Sequence, residues 1–135
     1  MSTAEPAFES AVFAVLNDER AQNGLPALQP SAALNLSARR HSAAMAAAGT
    51  LAHVLPGELN TPAREAAAGY QGRAWAENVG ETPDPTESGA LAMQELLYSD
   101  PPHRANILST AMHVLGVGIV VDSTGKLWIT EDFGG

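Results

Sequence analysis

The chain has 135 residues, no cysteine, and 7 Lys and Arg against 15 Asp and Glu, for a formal net charge of −8. That length suits one folded unit, residues 1–135, and buries about two-thirds of the unfolded surface, enough for a core without metal or disulfide staples. The missing thiol excludes a disulfide framework and a cysteine nucleophile, the acidic balance argues against nucleic acid and anionic membrane surfaces, and no run approaches the ~18 apolar residues of a transmembrane segment.

The start, Met1 to Phe8, lacks the basic and apolar regions of a signal peptide. It fits either a cytoplasmic protein or one whose leader has been removed. A first helix is expected over Pro6 to Gln22, with Phe8, Val12, Val15 and Leu16 as its apolar stripe, stopped by Asn23-Gly24. Leu25 to Pro30 reads as an extended connector. Ser31 caps a second helix that runs to about Ala48 and ends at Gly49. Its Leu34, Ala38, Met45 and many alanines suit close packing on another layer.

Thr50 to Asn60 reads as a loop carrying His53 and Glu58. Thr61 then caps a short helix to Ala68, with Pro62 in its first position. Ala74 to Val79 reads as a strand whose Trp75, Glu77 and Val79 share one face. Glu81 to Pro85 is a turn, and Asp84 or Thr86 starts a helix to about Ser99. The end is a hairpin: Val114 to Val121, a turn at Asp122-Ser123-Thr124-Gly125, and a return strand from Lys126 to Phe133. Gly116 and Gly118 leave room for a bulky side chain or a second backbone. Helices, strand, helix and hairpin in this order suggest a small antiparallel sheet with helices on two sides.

The run Ser99-Asp100-Pro101-Pro102-His103-Arg104-Ala105-Asn106-Ile107-Leu108 reads as a very short helix. Asp100 is its N-cap and Pro101 its first residue, which places His103 in the first turn. The positive helix end there would keep the imidazole neutral, the form that a metal or a hydrogen-bonding ligand needs. Glu77 is the sharpest anomaly, a carboxylate between Trp75 and Val79 on a face that looks core-facing. Such a group needs a partner. His53, Glu77 and His103 together would make a plausible first shell for a divalent metal.

Each residue also has a plain structural reading. His53 would be a surface histidine in a loop, Glu77 an exposed residue at a strand end, His103 a local hydrogen-bonding group and Asp100 a cap. His41 would be an exposed or helix-packing residue, His113 an edge of the hairpin, and Trp75 and Trp128 core.

Short pieces then add up to a resemblance. They are Leu16-Asn17-Asp18-Glu19-Arg20 with Gly24 to Leu28, Ala38 with His41 to Met45, His53, Gly69-Tyr70 and Ala76-Glu77-Asn78-Val79. They continue with His103 to Leu108, Gly116-Val117-Gly118 and Trp128 to Gly134. Their order and spacing resemble the bacterial branch of the CAP superfamily, the cysteine-rich secretory protein, antigen 5 and pathogenesis-related-1 domains. The resemblance implies an α+β fold, an α-β-α sandwich with a small central antiparallel sheet. It also implies a central cavity lined by two histidines and acidic residues that can hold a divalent metal such as zinc.

By motif, His53, Glu77 and His103 would line that cavity, with Ser99-Asp100 in the region of a second acidic residue. The resemblance further implies an extracellular or cell-envelope address and a small-molecule, lipid or protein partner. Three functions follow. One is a ligand-binding or interaction module for a lipid, a sterol-like molecule or a protein. Another is a metal-dependent hydrolase or protease on the same residues. The last is a structural polar cluster with no ligand. A serine hydrolase using Ser99 and His103 has no nucleophile-elbow motif behind it.

Overall fold

A computed structural model describes all residues, 1–135. Its elements in order are β1 (Thr3–Ala4), α1 (Pro6–Gln22), β2 (Gln29–Pro30), α2 (Ala32–Ala48) and α3 (Thr61–Ala67). They continue with β3 (Trp75–Thr82), α4 (Glu87–Ser99), α5 (Pro101–Ile107), β4 (Val114–Val121) and β5 (Leu127–Gly134). The strands form one sheet in the order β1-β4-β5-β3, antiparallel throughout. The two-residue β2 adds the one parallel pairing, at the start of β4.

Local chemistry sets the helix ends. The Ser31 hydroxyl accepts from the Leu34 amide at 3.1 Å, and Gly49 closes α2 at φ +60°, a region where a side chain would be strained. Thr61 was expected to cap α3, but Asn60 does so, taking the Ala63 amide on Oδ1 at 3.0 Å. Thr61 is left buried in the first turn. Thr86 caps α4 by accepting from the Gly89 amide.

Alternation along the hairpin sorts the two sides of the sheet. Leu115, Val117, Ile119, Ile129 and Phe133 point one way, into a core completed by Val12 and Leu16 of α1, Leu97 of α4 and Ile107 of α5. Val120 and Trp128 point the other way and pack with Met45 of α2 and Leu55. On that second side α2 lies directly on β4. A Cβ at Gly116 or Gly118 would stand 2.1 Å from the α2 backbone at Asn35 or Arg39. The glycines therefore admit a backbone, one of the two occupants expected of them. The result is the expected α-β-α sandwich, with α2 and α3 on one side and α1, α4 and α5 on the other.

Three features depart from the sequence reading. The inner face of α1 carries Glu9, Glu19 and Arg20 as well as Val12 and Leu16, and all of them are buried. Strand β3 runs on to Thr82 through Glu81, which was assigned to a turn, because its whole length pairs with β5. Trp128 is core, but Trp75 is 46 % exposed. It opens β3, the strand at the edge of the sheet, where no layer covers it.

Candidate functional site

The site is built on that edge strand. In a strand, successive side chains leave by opposite faces. Glu77, paired with Asp132 on β5, faces the α2–α3 side, and Asn78, paired with Glu131, faces the α4–α5 side. Glu77 is buried, as the alternation implied, and its carboxylate collects donors from two further segments. His53 Nδ1 lies 2.9 Å from Oε1, and the Thr61 hydroxyl donates to the same oxygen at 3.4 Å. Arg64 Nη2 of α3 donates to Oε2 at 2.6 Å. Arg64 also donates through Nη1 to Asp132 Oδ2 and to the Ser37 hydroxyl, each at 3.1 Å.

Burial pushes the Glu77 carboxyl up, but hydrogen bonds from His53 and Asp132 and the Arg64 charge outweigh it and bring it down to about 2. Asp132 moves the other way, raised by burial and by its neighbour Glu77. Within the pair Glu77 is thus the stronger acid and Asp132 the weaker. The hydrogen bond to Glu77 in turn raises the His53 pKa above the ordinary histidine value, against the opposing effect of partial burial. With Nδ1 committed to Glu77, His53 presents Nε2 outward from a side chain that is 55 % exposed.

The α4–α5 side is organised differently. Asn78 Nδ2 donates to Glu131 Oε1 at 3.1 Å and to the His103 carbonyl at 3.2 Å. Asn106 Nδ2 donates to Asn78 Oδ1 at 2.8 Å and to the Glu77 carbonyl at 3.3 Å. Here α5 contributes backbone and amide groups rather than its imidazole. His103 Nδ1 lies 2.6 Å from Asp100 Oδ2. Asp100 does occupy the N-cap position, but its side chain caps no amide and turns to His103 instead. The imidazole, expected to lie beside the positive end of a helix capped by Asp100, instead has the Asp100 carboxylate against it. The Ser99 hydroxyl donates to the Leu96 carbonyl. His41, expected to be exposed or helix-packing, is buried between Glu58 and the Ala52 carbonyl, 2.7 Å from each, and helps to hold the loop that carries His53.

His53, Val54, Thr61, Trp75, Glu77 and Asn106 line a cleft of about 550 Å³ at the edge of β3. His103 is not part of its wall. A larger groove of about 670 Å³ lies between the starts of α1 and α2. Its charged group, Glu9, is already taken by Arg39 and the Ile119 amide. The cleft at His53 is the one with an uncommitted ring nitrogen, and it is the better candidate for chemistry.

The three residues expected around a divalent metal do not fit one together. No group of three or more His, Asp or Glu side chains is arranged to hold an ion. Both Glu77 oxygens are taken, one of them by a cationic guanidinium. His103 Nδ1 is held by Asp100, and the residue is not in the wall of the cleft that holds Glu77.

Arg64, Asp132, Thr61 and Asn106 were not singled out as site residues in the sequence, although Thr61 was read as a cap and Asn106 and Asp132 lie in the runs that carry the resemblance. Arg64 had left one trace, as a single basic residue between Arg40 and Arg73, three positions after the buried Thr61. Asn106 stands one helical turn beyond His103. Nothing local marks Asp132 as the partner of an arginine 68 residues away.

A model of the CAP family, described as the cysteine-rich secretory protein family, matches residues 13–133. An extracellular protein containing an SCP domain from Bacillus anthracis is similar in structure at a TM-score of 0.85 and 22 % identity. That match covers 96 % of this chain but 41 % of the other. An outer surface protein of Borrelia burgdorferi matches at a TM-score of 0.87 and 12 % identity, covering 99 % of this chain and 98 % of that one. A cysteine-rich secretory protein from Staphylococcus aureus matches at 0.66 and 16 % identity, covering 96 % and 38 %. The chain thus spans about two-fifths of the Bacillus and Staphylococcus proteins, and identities this low speak for the fold alone. A search of curated proteins finds no match.

Proposed function

The chain belongs to the CAP family of cysteine-rich secretory proteins, and from that premise we propose that it is a ligand-binding module whose site is the cleft at His53. The observation that carries this reading is the pairing of an outward-facing His53, fixed from behind by a buried Glu77, with the exposed ring of Trp75 across the same cleft. Ligand sites combine apolar walls with a few placed polar groups. Trp75, Val54 and Pro62 supply the apolar part, and His53 Nε2 with the Asn106 amide supplies the polar part. The matching ligand is amphipathic, with an apolar body and a hydrogen-bonding head, as in a fatty acid or a sterol.

An extracellular or cell-envelope address goes with this reading. Its support is that two of the similar structures are described as an extracellular and an outer surface protein. No helix is long and apolar enough to cross a membrane.

A second reading has one observation behind it. A histidine oriented by a buried carboxylate is also a general base, able to activate a water for hydrolysis. It has no hydroxyl nucleophile beside it, since Thr61 donates to Glu77 and Ser99 to Leu96. Binding therefore ranks above catalysis.

The test is fluorescence titration with a fatty acid and with a sterol. Saturable quenching that is weakened in both Trp75→Ala and His53→Ala supports the cleft. A response unchanged by both substitutions, or no saturable response to either probe, rejects it. Ester hydrolysis lost in His53→Ala would move the assignment to the second reading.

A further inference from the structure

Arg64 joins the segments that meet at Glu77. It is buried, and its guanidinium reaches Glu77 at 2.6 Å, Asp132 and Ser37 at 3.1 Å, the Thr61 hydroxyl at 3.3 Å and the His53 carbonyl at 3.4 Å. A third acid, Glu58, stands 3.6 Å from its Nε. Three carboxyl groups and the segment bearing a histidine thus converge on one positive centre. Carboxylates and imidazole gathered around a cation are what a divalent metal site is made of. In this chain the cation is covalently attached to α3.

We propose that Arg64 is the built-in cation of the site, standing in the place a divalent ion would need and holding the His53–Glu77 pair in register without metal. An arginine suits this role because it stays charged and its planar fork of five donors can serve several oxygens at once. An ion bound to Glu77 would have to displace His53 or Arg64 and then sit beside the guanidinium charge. The site is therefore closed to zinc as long as Arg64 is in place, and its removal leaves an anionic pocket that a free cation can fill. This inference is independent of whether the cleft binds an amphipathic ligand, which the fluorescence titration decides on metal-free protein.

Zinc chloride titration by calorimetry and thermal melting tests it, on the wild-type chain, Arg64→Ala and Arg64→Lys. The wild type should show no saturable zinc binding that depends on His53 or Glu77, and no rise in melting temperature with zinc. Arg64→Ala should melt lower and regain part of the loss when zinc is added. Arg64→Lys, which restores the charge, should gain nothing from zinc. Saturable wild-type binding that disappears in His53→Ala or Glu77→Gln overturns the proposal, and so does a folded Arg64→Ala that gains no zinc affinity. Binding that survives both of those substitutions lies elsewhere and leaves the site metal-free, as proposed. Should Arg64→Ala fail to fold, the wild-type titration and the nuclear magnetic resonance signal of the His53 ring decide alone: displacement of that signal by zinc rejects the inference, and its constancy supports it.

Discussion

Glu77 on one side of the sheet and Glu131 on the other are both buried carboxyl groups, and their acidities are pushed in opposite directions. On the α2–α3 side Arg64 lies against Glu77, and the carboxyl is brought down to about 2 despite the opposing push of burial. On the α4–α5 side Glu131 has one amide donor, Asn78, and no cation in contact. Burial there pushes its carboxyl up to about 8. A single residue's step along the strand, from Glu77 to Asn78, leads from an ionised, histidine-orienting carboxylate to the hydrogen-bond partner of a neutral one. Burial alone does not decide the state of an interior acid; the sum of donors and charges around it does, and Asp132, with Arg64 in reach but Glu77 beside it, still moves up.

Removing that cation should have the largest effect. Arg64→Ala leaves Glu77 and Asp132 without their shared donor, and breaking a buried ion pair from one side costs about 3–5 kcal/mol. Denaturant unfolding should show this loss, with Arg64→Lys recovering part of it. Were Arg64→Ala to cost under ~1 kcal/mol, the contrast between Glu77 and Glu131 would be wrong, because both would then be neutral.

The next effect is a pH dependence of opposite sign at Glu77 and at the carboxyl groups that burial raises. Glu77 has a folded pKa below its ordinary value of 4.5, so the stability it contributes is present above 4.5 and is lost as pH falls towards about 2. Glu131 and Glu65 have folded values raised from 4.5 to about 8, mainly by burial. Their contribution is present below 4.5 and is lost as pH rises through 8. Stability of the wild type should therefore fall between pH 5 and 8, by up to about 1.4 kcal/mol per pH unit for each neutral carboxyl. Glu131→Gln should remove one such share and flatten the curve. A slope identical to wild type would mean that Glu131 is ionised in the fold.

Glu77→Gln comes third. It removes the negative charge of the acceptor that holds the proton on His53, so the His53 pKa, followed by nuclear magnetic resonance, should drop back towards the ordinary histidine value. Stability should fall by about 1–3 kcal/mol, because a buried arginine loses a charged partner but keeps Asp132 and Ser37. An unmoved His53 titration would separate the two residues and dissolve the pair.

How much of this contrast could be read before folding depends on the range of each interaction. The caps at Ser31 and Thr86, the turn at Asp122 and the alternation of the hairpin are local, and the sequence showed them. The glycines of β4 announced a close approach because a missing side chain is visible by itself. His53 and Glu77 were singled out by type and by resemblance, and they do meet. The cation between Glu77 and Asp132 was hidden, since an arginine on a short alanine-rich helix looks like a solvated surface residue until α3 folds onto the sheet. Trp75 misled for the same reason in reverse: its alternation matched Glu77 and Val79, but only strand order shows that β3 lies at the edge. His103 was read through its helix end, but its ring turns to Asp100 and only its carbonyl reaches the strand, at Asn78, 25 residues earlier.

The smallest expected effect sharpens the comparison from the functional side. His53→Ala removes a ring whose side chain is 55 % exposed, and it leaves Glu77 with Arg64 and Thr61 still in place. An exposed ion pair contributes about 0–1 kcal/mol, so unfolding should barely change. The same substitution removes the free ring nitrogen of the cleft, and ligand binding should weaken far more than stability does. A residue that the fold hardly needs, held in place by a buried carboxylate and an arginine that the fold does need, is the division of labour expected of a binding site. Equal losses of stability and binding in His53→Ala would instead make the whole cluster a structural clamp. The ratio of the two losses, measured on one variant under one buffer, is therefore the quantity that separates a ligand site from a polar core.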